Sequence, residues 1–198
     1  MKLKILFLIV LNFFLLQLSA QDAIEEYKPI NNLTLYFDTF YMNFDFLTTE
    51  KPDIEINDNL YYYWFKADQI HFTKGEIGGK ALHGNFTVYY NNRNLKEKGR
   101  FNIGLKEGKW KKWHENGALL EVGTWAKGRK EDSWFEYDPE GLIVIEANYN
   151  HGALDGNYKE YINGELVIEK KYKNGKEIIR KEKQHENDSI PDSKEKKK

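Results

Sequence analysis

The sequence predicts an all-β fold: an elongated antiparallel meander of stacked β-hairpin repeats, each about 24 residues long. Three observations carry this. First, aromatic residues recur in register. Gly84-Asn85-Phe86, Gly108-Lys109-Trp110, Asp132-Ser133-Trp134 and Gly156-Asn157-Tyr158 stand 24 residues apart, and a second aromatic follows in each copy (Tyr89, Trp113, Tyr137, Tyr161). A third column reads Phe101, Trp125, Tyr149 and Tyr172, the last step one residue short, with Gly104, Gly128, Gly152 and Gly175 beside it. Such self-similarity is the signature of a repeat architecture. Second, turn chemistry falls between the columns. Asn116-Gly117, Asn163-Gly164 and Asn174-Gly175 suit tight primed turns, and in Asp138-Pro139-Glu140-Gly141 proline pre-sets φ. Third, side chains between the turns alternate with the period of a strand.

Along the chain, residues 1–20 come first. Lys2 and Lys4 precede the apolar run "ILFLIVLNFFLL", and Leu18-Ser19-Ala20 offers a small-residue cleavage site, so a signal peptide removed before Gln21 is expected. A retained anchor is the alternative. It fits less well, because Asn12 interrupts a run already short of the roughly 20 apolar residues a spanning helix needs. Ala20 followed by Gln21 is similar to the junction in exported proteins of Gram-negative bacteria, which implies a periplasmic, cell-surface or secreted location. The chain has no cysteine, so no disulfide and no lipid-modified cysteine can hold it, and packing alone must supply stability. Removing Lys2 and Lys4 from the 30 basic residues leaves 28 against 31 acidic ones. That balance gives no nucleic-acid footprint and no strong pull toward anionic lipid.

Residues 21–75 are expected to cap the array. "NLTLYFDTFYM" and "NLYYYWFKADQIHF" are strand-like and dense in aromatics but lack the 24-residue register, and an exposed sheet edge needs cover.

Residues 76–180 form the array. Phe, Tyr and Trp interchange within each column, which points to volume and hence to packing. On the second strand of a copy, Leu119, Glu121, Gly123 and Trp125 are expected on one face. Leu95, Gly99 and Phe101, and then Ile143, Ala147 and Tyr149, occupy the same face of neighbouring copies. The small residues 99, 123 and 147 leave room there for a neighbouring ring. The first strand is less tidy. Trp110 and Trp113, three apart, point to opposite faces of a regular strand, so either both faces carry aromatics or a bulge turns one over. A lone hairpin is marginal in water, and stacking makes stability close to a sum of neighbour terms. Each buried ring is worth roughly 1.5–3 kcal/mol. Replacing Trp110 or Trp134 by alanine is expected to cost about 3–5 kcal/mol. The last strand, "VIEKKYKNGKEIIRK", uses lysine to blunt an edge. Residues 181–198 are charged, lack aromatics and are expected to be a disordered tail.

The phrase "GLKEGKWKKWHENGALLEVGTW" resembles a MORN repeat, in the variant of the bacterial YwqK-type "antitoxin" family: glycine, any residue, aromatic, short polar strand, asparagine-glycine, then a strand ending in an aromatic. The likeness covers about residues 76 to 178. It departs where Asp132 replaces the motif glycine, where Arg93 replaces the turn glycine, and in the shortened last copy. The resemblance implies stacked hairpins that serve as a scaffold or binding surface.

A search for chemistry finds little. Ser133 is the one serine outside the signal and tail, and it occupies the slot of Lys109 and Asn157 in sister copies with no strained turn around it. His71, His83, His114, His151 and His185 show no metal-ligand spacing, and His114 and His151 fall at turns expected to be exposed. "DIEIND" (53–58) lacks the glycine and glutamate of a calcium loop and reads as a polar loop. Glu97, Glu121 and Glu146 could pair as carboxylates, but cross-strand pairing with lysines explains them more simply. Asn32-Leu33-Thr34 and Asn85-Phe86-Thr87 match a glycosylation sequon that a bacterial chain would leave unused. No phosphate loop is present, and no cofactor or metal is implied. The strongest candidate site is "YYYWF". Tyr62 and Trp64 must lie opposite Tyr61, Tyr63 and Phe65, so the strand is either buried on both sides or presents Tyr61, Tyr62, Tyr63 and Trp64 partly as a binding platform.

The expected function is therefore non-enzymatic: an exported scaffold that binds another protein through its extended sheet. The alternatives are an envelope module for cell-wall glycan or a membrane surface, and an antitoxin-like neutraliser of an exported toxin. No nucleic-acid partner is expected.

Overall fold

The computed structural model describes residues 31–50 and 52–179. The predicted signal peptide, residues 21–30 of the predicted cap and the predicted tail lie outside the described residues. Thirteen strands follow in order: β1 (Asn31–Tyr36), β2 (Phe40–Phe46), β3 (Tyr61–Lys66), β4 (Gln69–Lys74), β5 (Lys80–Tyr90), β6 (Leu95–Asn102), β7 (Leu105–Trp113), β8 (Leu119–Ala126), β9 (Arg129–Tyr137), β10 (Ile143–Asn150), β11 (Ala153–Ile162), β12 (Glu165–Lys173) and β13 (Lys176–Glu177). All pair antiparallel. The sheet runs β1-β2-β5 and then in sequence order to β13, while β3 pairs with β4 and with the start of β5.

Each repeat is built around a residue of positive φ in its first strand. Gly84 (φ 107), Gly108 (φ 70), Asp132 (φ 58) and Gly156 (φ 117) all sit in the left-handed region, where a side chain is disfavoured. Asp132 is tolerated because aspartate enters that region more readily than most residues. A bulge forms at each of these positions. Opposite the two steps from Lys98 to Arg100, for example, β7 takes four, from Lys111 to Glu107. The bulge brings the ring two residues later back over the strand behind it. Trp110 and Trp134 then each donate an indole N–H to a carbonyl of their own bulge, Glu107 at 3.3 Å and Glu131 at 3.2 Å. Phe86 has no such donor, so tryptophan adds a bond to the volume that the column requires.

Both sheet faces carry aromatics, and a further irregularity explains how. Lys112 pairs with Glu121 but Trp113 pairs with Leu119, so Leu120 is the extra residue. The bulge therefore lies in the second strand, and Trp113 stays opposite Trp110. The same shift pairs Tyr89 with Leu95, Tyr137 with Ile143 and Tyr161 with Leu166. This corrects the expected alternation: Leu95, Leu119 and Ile143 are turned to the face of Trp113, away from Gly99, Gly123 and Ala147. We call the Trp110 face inner and the Trp113 face outer.

On the inner face the first and third columns interlock edge to face. Phe101 meets Phe86 and Trp110, Trp134 meets Trp125 and Tyr149, and Tyr158 meets Tyr172, at interplanar angles of 75–89°. Trp110 and Trp134 are only 2% exposed. The β3–β4 hairpin lies across the first part of this face. Phe65 packs on Phe44 and Phe46, Tyr63 packs on Phe101, and the Tyr63 amide donates to the Gly104 carbonyl at 2.7 Å. The region expected to cap the array thus divides its work: β1–β2 prolong the sheet while β3–β4 cover its inner face.

The turns alternate between two edges. On one edge Lys127-Gly128, His151-Gly152 and Asn174-Gly175 have positive φ at both residues, as does the β-branched Ile103 (φ 43) beside Gly104. Their leading amides are held by a column the sequence reading missed. His83 takes the Ile103 amide, Glu107 that of Lys127, Glu131 that of His151, and Asp155 that of Asn174. These acceptors immediately precede the bulge residues and keep the 24-residue register. On the other edge Asn116-Gly117 is not the expected primed turn: only Gly117 has positive φ. Its amide donates to His114, giving a four-residue turn shared with Arg93 and Gly141. The true primed turn Asn163-Gly164 replaces it in the last copy and accounts for the missing residue.

Candidate functional site

Charged residues on the inner face line up in one row, interrupted by Ile145. Through successive cross-strand pairs it runs Val88, Glu97, Lys112, Glu121, Glu136, Ile145 and Glu160. Glu121 and Glu136 face each other directly, a repulsive arrangement that needs cations nearby. Lys112 meets Glu121 at 3.0 Å, and Lys106 meets Glu97 at 3.1 Å. Lys106 stands over Trp110 at 3.8 Å and Lys130 over Trp134 at 3.9 Å, each ammonium resting on the ring that its stem covers. Burial pushes both lysines below their ordinary pKa, and for Lys106 the Glu97 carboxylate works against the shift. Burial also raises Tyr63 and Tyr149, with Glu97 adding to the first and Glu136 to the second. The third acid considered with Glu97 and Glu121 is elsewhere. Glu146 is on the outer face, where it takes Lys159 at 3.4 Å and the Tyr161 hydroxyl at 3.2 Å.

The "YYYWF" strand is β3. Tyr62 is buried, and its hydroxyl accepts the Asn57 amide at 3.0 Å. Trp64 is half-buried, stacked on His71 with ring centroids 4.4 Å apart and bonded to the Thr73 hydroxyl at 2.9 Å. Tyr61 is 53% exposed and, with Tyr63, Phe72 (62% exposed), Lys106 and Trp125, lines an open cleft of about 230 Å³ on the inner face. Sequence reasoning did not find Phe72 or Trp125 beside Tyr61, because the hairpin brings them together across the sheet.

On the outer face, Tyr36, Tyr41 and Tyr89 form a stack with centroid spacings of 5.6 and 4.9 Å. The row continues through Leu95, Trp113 and Leu119 to Tyr137, Ile143 and Tyr161. A second groove, between β6 and β7, is lined by Leu95, Lys98, Arg100, Lys109, Lys111 and Trp113. The sequence reading did not predict it, since its four cations come from two strands whose pairing was not fixed.

The remaining candidates fall in structural places. Ser133 accepts a bond from Asn148 on the neighbouring strand at 3.0 Å. His151 is exposed, but His114 is half-buried and bonds the Tyr137 carbonyl of the next hairpin at 2.9 Å. Its exposure was overestimated because turns of successive hairpins touch. Among the described residues no cluster of His, Asp and Glu is arranged to hold a metal ion. Comparison of the chain with protein-family models and with curated proteins gives no match.

Proposed function

We propose that this chain is an exported, non-enzymatic repeat scaffold that binds another protein through the outer face of its sheet. One observation carries the reading: that face combines a regular aromatic and aliphatic row with exposed cations, while on the inner face Trp110 and Trp134 are buried and Lys106 and Lys112 are paired with acids. The YwqK-type MORN resemblance and the signal-peptide sequence agree with a surface-presenting role in a bacterial envelope. The test is a photo-crosslinking residue placed at Thr87 or Val122 on the outer face and used in envelope extracts. A discrete protein adduct from these positions, absent with the same group at Glu160 on the inner face, is the expected result. No adduct from either outer position overturns the reading.

A second reading rests on the inner-face cleft. Tyr61, Phe72 and Trp125 offer rings on which a sugar could stack, and Lys106 provides a cation at its floor. Titrating tryptophan fluorescence with cell-wall glycan, and separately with anionic vesicles, tests it. A saturable shift that Trp125→Phe removes supports glycan binding there.

A further inference from the structure

Among the described residues, the outer face between β6 and β7 holds four cations that make no ion pair. Lys98, Arg100, Lys109 and Lys111 are exposed and line one open groove of about 430 Å³ that ends at Leu95 and Trp113. Ion pairs among the described residues engage other lysines: 106, 112, 159, 170 and 173. Lys98 and Lys111 are direct cross-strand partners, which is unfavourable on its own. The flanking strands bring no relief. Asn85 and Thr87 lie opposite Arg100 and Lys98, and Thr124 and Val122 lie opposite Lys109 and Lys111. Glu107, the cross-strand partner of Arg100, is turned to the Lys127 amide at 2.7 Å. The same two strands therefore neutralise their lysines on the inner face and leave the outer ones uncompensated.

The spacing of these groups says what fits. Lys109, Lys111 and Trp113 are alternate residues of one strand, so successive rungs of the groove stand about 6.6–6.8 Å apart. The first rung is Lys109, in the bulge between the Lys98–Lys111 and Arg100–Glu107 pairs, with Arg100 lining the same groove; the second is the cross-strand pair Lys98 and Lys111; the third is Trp113, with Leu95 at the same end of the groove. Two rungs are cationic and one is apolar. An extended polypeptide repeats its side chains on one face at the same pitch. We propose that this groove binds an extended protein segment with acidic residues at i and i+2 and an apolar residue at i+4. Each carboxylate lies between the two cations of a rung, and the apolar side chain lies against Trp113 and Leu95. The inference rests on the protein-binding reading above and names the partner's chemistry. A lone phosphoryl group would fill one rung and leave the others unused, so the pitch favours a peptide over a headgroup.

The test is fluorescence anisotropy with the full chain and a labelled seven-residue peptide that has aspartate second and fourth and leucine sixth. A control peptide has the same composition with its aspartates adjacent. The patterned peptide is expected to bind about tenfold more tightly than the control, and Lys98→Glu with Lys111→Glu to remove that binding. These side chains are exposed, and an unchanged near-ultraviolet circular dichroism spectrum would verify that the variant folds. Trp113→Ser should weaken the patterned peptide and leave the control unaltered. Inorganic phosphate and phosphatidylglycerol vesicles should displace the peptide no better than sodium chloride of equal ionic strength. Equal affinity for both peptides, no response to charge reversal, or preferential displacement by phosphate or vesicles each overturns the proposal. If the peptide fails while the outer-face crosslink still traps a protein, the acidic pattern alone is wrong. If both fail, the protein-binding reading falls with it.

Discussion

Trp110 lies so close over Gly99 that a Cβ placed on Gly99 would stand 2.1 Å from the indole ring, and Trp134 lies over Gly123 at the same distance. The third copy solves the same contact differently. Ala147, 1% exposed, occupies the glycine position, and the smaller Tyr158 occupies that of tryptophan. Glycine at 99 and 123 is thus required by the size of the ring. Gly123→Ala should destabilise by about 1–3 kcal/mol, the usual range for overpacking. Gly123→Ala combined with Trp134→Tyr, which copies the third repeat, should be more stable than Gly123→Ala alone. Urea melts of the three chains decide this, and a purely additive double variant would remove the steric explanation.

Arg93 has φ 71 at the turn position that Gly117 and Gly141 hold in the next two copies. An ordinary side chain in the left-handed region costs roughly 1–2 kcal/mol. Arg93→Gly should therefore raise stability by about 1 kcal/mol, partly offset by the freer unfolded chain. Asp132→Gly, at φ 58, should gain less, because aspartate tolerates the region better. Thermal melts that rank Asp132→Gly above Arg93→Gly would contradict this account.

Lys106 and Glu97 form a mostly covered pair whose side chains are 13% and 22% exposed. Two sister copies carry leucine at the lysine position, Leu82 and Leu154, while the third carries Lys130, so the site accepts an apolar side chain by shape. Lys106→Leu nonetheless leaves the Glu97 carboxylate with only its cross-strand neighbour Lys112, which already meets Glu121, and should cost about 1–3 kcal/mol. Adding Glu97→Val, which matches Val88 beside it in the row, should recover most of that loss. The coupling is read from a double-mutant cycle in denaturant.

The 24-residue register made most of the fold legible, because volume, turn chemistry and glycine each repeat independently in the sequence. The faces of Leu95, Leu119 and Ile143 were not legible. Alternation was carried through Lys96, Leu120 and Val144, and only the strand pairing reveals those as extra residues. The acceptor column of His83, Glu107, Glu131 and Asp155 was in register but varied in residue type, so composition hid a shared hydrogen bond. Tyr61 was recognised as a candidate, whereas its neighbours Phe72 and Trp125 depend on where β3–β4 folds back. The basic groove was hidden for a similar reason. Lys98, Arg100, Lys109 and Lys111 are scattered among 30 basic residues, and only pairing separates them from lysines that meet an acid on the inner face.

Glu131 accepts the His151 amide through both carboxylate oxygens, at 2.9 and 3.0 Å, and so ties one hairpin to the turn of the next. Glu131→Ala should cost about 1 kcal/mol or somewhat more, since it removes a charge-assisted bond at an exposed edge. The effect should be local. Hydrogen exchange should quicken at His151, while the Lys127 amide, held by Glu107, stays protected. Uniform acceleration along the array would instead indicate that the tie acts on global stability.

Tyr158 donates its hydroxyl to the Glu160 carboxylate at 2.7 Å, and this bond, aided by burial and the nearby negative charge, raises its pKa to about 12. The unfolded chain releases the same proton near 10. Between those values the folded state holds the proton more tightly, so stability falls as pH rises. The contribution is fully present below about pH 10 and is lost as pH climbs through about 12. Tyr158→Phe removes this titration and should flatten the decline of stability across that window. Other tyrosines are also shifted upward, so the informative quantity is the difference between wild type and variant at each pH. Denaturant midpoints at pH 8, 10 and 11 would measure it. Parallel curves for the two chains would mean that Glu160 does not hold the Tyr158 proton in solution.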